Sequence, residues 1–132
     1  MPEPGEPKIR SKWTILIVDD EFGVRESYRM ILNPSYEVHT ASGGEEALNI
    51  FKEQKIHLIT LDLKMPKLSG IETLREIRKI DRQVPVIIIT GYGADKDQKE
   101  ALLYGARDFI SKPFNTSKII NVIDRILDER IE

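Results

Sequence analysis

Four hydrophobic runs in this chain each end on, or one residue past, a polar group of a different chemical kind. Ile15-Leu16-Ile17-Val18 leads into Asp19-Asp20, and His57-Leu58-Ile59-Thr60-Leu61 leads into Asp62. Pro85-Val86-Ile87-Ile88-Ile89 ends at Thr90, and Asp108-Phe109-Ile110-Ser111 ends at Lys112-Pro113. Apolar runs this short, spaced by helix-period segments, read as parallel strands buried on both faces. In an open parallel sheet the binding crevice lies beyond the carboxyl ends of the strands. The pattern therefore delivers several carboxylates, a hydroxyl and an ammonium to one edge.

The segments between the runs carry helix signals. Val24, Tyr28 and Ile31 share one helical face, which ends near Asn33-Pro34. Tyr36 to Thr40 alternates and suits a short, half-exposed strand. Ser42-Gly43-Gly44-Glu45 has capping-box spacing ahead of Ala47, Leu48 and Phe51, and Ser69-Gly70-Ile71-Glu72 repeats it ahead of Leu74 and Ile77. Asp95 to Tyr104 reads as a less apolar helix, and Asn115 as the N-cap of a helix striped by Ile119, Val122, Ile123, Ile126 and Leu127. Five strand–helix units with short connections specify an α/β fold: a doubly wound, five-stranded parallel sheet sandwiched by five helices.

Residues 1–12 carry Pro2, Pro4, Gly5 and Pro7 among charges and read as a flexible arm, with one domain over residues 13–130. The last helix runs into Asp128-Glu129-Arg130-Ile131-Glu132 with no glycine or asparagine to close it. That ending fits a helix continuing in a longer chain and equally one fraying at a terminus.

Charge and composition exclude several functions. Twenty basic against 22 acidic side chains give a net charge of −2, so no bulk positive field draws the chain to nucleic acid or anionic lipid. No helix-turn-helix follows the last strand, so no direct reading of DNA is expected. The absence of cysteine removes disulfides, thiolate catalysis and cysteine-ligated metals. No apolar run approaches the ~18 residues of a membrane span, and the expected location is cytoplasmic, with no membrane partner.

The chemistry follows from the edge groups. Asp19, Asp20 and Asp62 in one crevice repel one another unless a cation intervenes. An all-oxygen site suits Mg²⁺, with Mn²⁺ as a substitute. Capping the first helix would account for acids after its strand, but it requires no acid on another strand. Asp62 closes a strongly apolar strand and precedes the turn Leu63-Lys64-Met65-Pro66, which leaves its carboxylate at the crevice mouth. A carboxylate there can accept a phosphoryl group, a transfer helped mainly by positioning and by neutralising charge. Lys112 supplies a compact cation for that purpose. The hydroxyl of Thr90 would find a strong acceptor in an aspartyl phosphate.

Taken together, these motifs resemble the receiver domain of two-component response regulators, over about Trp13 to Leu127, and so the receiver form of the flavodoxin-like fold. Val18-Asp19-Asp20-Glu21 resembles its acidic pocket, and Leu61-Asp62-Leu63-Lys64-Met65-Pro66 its phosphoacceptor segment. Thr90-Gly91 resembles the switch hydroxyl and the small residue after it, and Gly105 to Phe114 the last-strand signature. The resemblance implies that Asp62 is phosphorylated from a histidine kinase's phosphohistidine. It implies Mg²⁺ held by Asp19, Asp20, Asp62 and the backbone carbonyl of Lys64. It also implies a switch formed by Thr90 and Phe109, a cis Lys112-Pro113 peptide, and Lys64 and Tyr92 flanking the reaction centre and tuning hydrolysis. Expected partners are a cognate histidine kinase and a downstream protein or attached output domain, with a phosphorylation-dependent dimer as a further candidate. The chain would be a regulatory phosphoacceptor, not an enzyme acting on an outside substrate.

Other readings of the same residues carry different signatures. A phosphatase of the haloacid-dehalogenase type has a second acid two residues after its nucleophile, where this chain has Lys64. A nucleotide or flavin binder cradles phosphate after the first strand, where Asp19-Asp20-Glu21 would repel it. A receiver-like module acting by contact alone would have no need of the acids, Thr90 and Lys112 together.

Overall fold

The computed structural model describes residues 13–33, 35–91, 95–113 and 115–129. The expected arm over residues 1–12 and the chain end at 130–132 lie outside them. Strand and helix alternate as β1 (Thr14–Val18), α1 (Phe22–Leu32), β2 (Glu37–Ala41), α2 (Gly44–Glu53), β3 (Leu58–Leu61), α3 (Gly70–Ile80), β4 (Val86–Thr90), α4 (Asp95–Leu103), β5 (Asp108–Ser111) and α5 (Thr116–Glu129). All strand pairs are parallel, in the order β2-β1-β3-β4-β5. The chain steps outward from β1 to β2, then returns past β1 to β3. That reversal opens a crevice between β1 and β3 at their carboxyl ends.

Successive strand residues feed opposite layers. Leu16 and Val18 of β1, with Ile59 and Leu61 of β3 and Val86 and Ile88 of β4, pack with Ala47, Phe51, Ile71, Leu74, Ile77 and Ala101 from α2, α3 and α4. Ile15 and Ile17, with Leu58, Ile87 and Ile89, pack with Tyr28 and Leu32 of α1 and with the Ile119–Leu127 stripe of α5. The central strands are buried on both faces, and β2, at the sheet's edge, is only partly so. Among the described residues, no helix is long and apolar enough to cross a membrane.

Two helix starts follow the expected chemistry and one departs from it. Ser69 forms a full capping box with Glu72 ahead of α3. The Asn115 side-chain oxygen accepts from the amides of Ser117 and Lys118 ahead of α5. The expected Ser42–Glu45 box is absent: α2 is capped one residue later, at Gly43, and the Ser42 amide donates to Glu46 at 2.7 Å. The cause is tertiary. A Cβ on Gly44 would lie 2.2 Å from the Thr73 hydroxyl oxygen and 2.7 Å from Leu68, so the first turn of α2 is pressed against α3 and the loop before it.

Candidate functional site

Hydrogen bonding that continues past the strand ends fixes the site. The Asp62 amide, one residue beyond β3, donates to the Val18 carbonyl of β1 at 3.0 Å, and the Asp19 amide donates to Ala41 of β2 at 3.1 Å. The Lys112 amide, one residue beyond β5, donates to Thr90 at the end of β4 at 2.9 Å. Asp19, Asp62, Thr90 and Lys112 thus stand at the same edge of four adjacent strands. The structure brings these four sequence-selected residues together.

The Lys112 ammonium lies 2.8 Å from Asp19 Oδ2, 2.8 Å from Asp62 Oδ2 and 4.0 Å from Glu21 Oε1. The other oxygen of Asp62 accepts from the Lys64 amide at 3.0 Å. Asp62 is 5% exposed and Asp19 2%, so the Asp62 carboxylate is at the crevice floor and not at its mouth, where the sequence placed it. The loop leading into α3 packs against the Asp62 backbone. A Cβ on Gly70 would stand 2.4 Å from the Asp62 carbonyl oxygen and 2.4 Å from Leu63 Cα, so that loop is held at glycine-only distance from the Asp62 backbone. The loop also holds Lys67 at φ 63, an uncommon conformation for a residue with a side chain.

Burial raises the Asp62 pKa above the ordinary carboxylate range, and the neighbouring Asp19 charge adds to the rise. Hydrogen bonds from Lys112 and Lys64 offset only part of it. Burial by itself pulls the Lys112 ammonium down, but the hydrogen bonds and charges of Asp19 and Asp62 outweigh it and carry the net shift upward. One cation serves two acids, and Asp62 is left undercompensated. Beneath them, the buried Tyr28 phenol is also pushed up, by burial first and then by the charges of Asp19 and Asp62.

The Thr90 hydroxyl is buried and has no hydrogen-bond partner among the described residues, a costly arrangement that calls for an explanation. Phe109 on β5 is half-buried, and Lys112-Pro113 is cis. Asp20 and Glu21 are exposed, and together with Asp19 they place carboxylate oxygens within 4.8 Å of one another. Hard oxygen donors clustered beside a desolvated aspartate fit a small divalent cation. Tyr92 lies outside the described residues.

A family profile described as the response regulator receiver domain matches residues 15–124. The chain belongs to that family. The receiver is 36% identical over 114 residues to the chemotaxis protein CheY of Thermotoga maritima, covering 85% of this chain and 95% of the relative. It is 43% identical over 114 residues to the transcriptional regulatory protein CpxR homolog of Haemophilus influenzae, covering 86% of this chain and 49% of the relative. A CheY-like receiver domain structure from Methanospirillum hungatei superimposes with a TM-score of 0.85 at 32% identity, over 89% of this chain and 94% of that one. The receiver spans about half the length of the transcriptional regulators it matches. Its family is that of two-component signalling, whose general function is a phosphorylation switch.

Two contributors to the receiver's site were not selected from sequence. Gly70 looked like an ordinary second member of a capping box, and its approach to Asp62 is set by the α3–β3 packing. Arg25 donates from α1 to the Asp19 carbonyl at 2.9 Å. Its signal is local: a cation in the opening turns of a helix, against the helix dipole and next to three acids.

Proposed function

We propose that this receiver is a phosphoryl-accepting switch with Asp62 as the acceptor. In this reading Asp19, Asp20, Asp62 and the backbone carbonyl of Lys64 hold Mg²⁺, for which Mn²⁺ can substitute. The observation that carries it is the buried pairing of one ammonium with Asp19 and Asp62, next to a strand end whose threonine hydroxyl has no partner among the described residues.

An Asp62 oxygen attacks phosphorus, a P–O bond forms, and the P–N bond of a kinase phosphohistidine breaks. The imidazole leaves with the bonding electron pair and takes a proton from solvent. The bound cation would neutralise charge on the phosphoryl oxygens. Lys112, already 2.8 Å from the acceptor, follows a phosphoryl oxygen, and the Thr90 hydroxyl donates to another. The same groups would assist a slow hydrolysis of the acyl phosphate, without turnover of an outside substrate.

Movement of Thr90 toward the phosphoryl group vacates space into which the half-buried Phe109 ring turns, biasing the face of α4, β5 and α5. Support for a movable α4 is its thin anchoring: among its described side chains only Ala101 is fully buried. That face would bind a downstream protein, an attached output domain or a second phosphorylated copy.

Incubation with acetyl phosphate and Mg²⁺, followed by intact-mass measurement, tests the reading. One added phosphoryl group, lost when the cation is chelated, is the expected result. Unmodified protein at saturating donor and cation would refute it.

A further inference from the structure

Arg25 is the fourth residue of α1, where the positive end of the helix disfavours a cation. A residue that breaks a local rule needs a compensating contact. Its guanidinium Nη1 donates to the Asp19 carbonyl oxygen at 2.9 Å, and its Cζ lies 5.7 Å from the exposed Phe22 ring, on the same helix. The accepting carbonyl belongs to the peptide unit that joins Asp19 to Asp20. The amide on the other side of Asp19 is held by Ala41, and Asp19 Oδ1 accepts from the Glu21 amide at 2.9 Å. With Arg25 in place, both peptide units flanking Asp19 are tied, and so is the direction in which Asp20 leaves the chain.

We infer that Arg25 is a positioning residue for the divalent-cation pocket, acting through the Asp19–Asp20 peptide unit. The inference rests on the reading above, in which those two acids hold the cation. Two physical effects of the guanidinium oppose each other. Its charge repels an incoming cation, so on electrostatic grounds its removal tightens binding. Its hydrogen bond preorganises two ligands, so on geometric grounds its removal weakens binding. The charge is half-exposed and screened at ordinary salt, whereas the bond acts directly on the ligands' backbone, and the geometric effect dominates.

The sign of the change therefore decides. Mg²⁺ affinity is measured by calorimetry at fixed ionic strength, alongside thermal unfolding of each variant in a chelator. Arg25→Met should bind Mg²⁺ about fivefold more weakly, the net worth of one hydrogen bond. Arg25→Gln, which keeps an N–H donor without the charge, should recover part of that loss. A purely structural role would lower the unfolding temperature and leave affinity unchanged. Equal or tighter binding by Arg25→Met, or equal weakness in Arg25→Gln, overturns the inference. No Mg²⁺ binding by the unaltered protein overturns the cation reading itself, and this inference with it.

Discussion

Lys112 Nζ stands 2.8 Å from Asp62 Oδ2 and 2.8 Å from Asp19 Oδ2, so a single ammonium is shared by two buried carboxylates. Removing either sign of charge should change stability in opposite directions. Asp62 has a folded-state pKa above its unfolded one, chiefly through burial. Its favourable contribution is present below the unfolded pKa and is lost as pH rises through the folded pKa. Asp62→Asn should therefore raise the neutral-pH unfolding temperature in a chelator by a few degrees, the mark of about 1 kcal/mol in a domain of this size. An unchanged or lower midpoint would contradict the undercompensated acid.

Lys112→Met leaves Asp19 and Asp62 facing each other without their cation. We expect a loss of about 2 kcal/mol in chelator at neutral pH, since stripping one partner from a buried charge cluster exposes its repulsion. Mg²⁺ should return more stability to this variant than to the parent, because a cation that binds only the folded state stabilises it by linkage. Denaturant unfolding with and without Mg²⁺ measures both effects, and equal Mg²⁺ gains in the two proteins would count against a shared pocket.

Gly70 and Gly91 form a contrasting pair. A Cβ at Gly70 would meet the Asp62 carbonyl oxygen at 2.4 Å, and one at Gly91 would meet no described residue within 4 Å. Gly70→Ala should destabilise by about 2 kcal/mol, since backbone must shift to admit the methyl group. Gly91→Ala should stay within about 0.5 kcal/mol of the parent, as a substitution away from packed contacts does. Equal denaturant midpoints for the two variants would refute the close packing at Gly70.

Thr90 carries a buried hydroxyl with no partner among the described residues. Thr90→Val keeps the shape and removes the desolvated group, and should stabilise the unphosphorylated protein by about 1 kcal/mol. The same variant should lose the phosphorylation-induced change at Phe109, read by backbone amide shifts of β5 in NMR. Stability equal to or below the parent's would mean that the hydroxyl has a resting partner.

Much of this was legible along the chain because the determinants are local. Ile15–Val18, Leu58–Leu61 and Val86–Thr90 announce central strands by composition alone, and Ser69 and Asn115 mark helix starts through side chains one turn away. The edge groups were legible for the same reason: a polar residue after a buried run has few places to go. Features decided by contact between distant segments were not. Gly43 rather than Ser42 caps α2 because Gly44 meets Thr73 and Leu68. The pairing of Asp62 with Lys112, 50 residues later, is likewise set by distant segments. Arg25 carried a local charge signal, but its partner is a backbone carbonyl, which no side-chain pattern reports.

The most direct test of the acceptor assignment is to locate the phosphoryl group chemically. After reaction with acetyl phosphate and Mg²⁺, borohydride reduces an acyl phosphate to the alcohol, which peptide mass mapping reads at a single residue. Conversion of Asp62 alone to homoserine, absent in Asp62→Asn, is the predicted outcome. Reduction at Asp19 or Asp20, or undiminished labelling of Asp62→Asn, would contradict it.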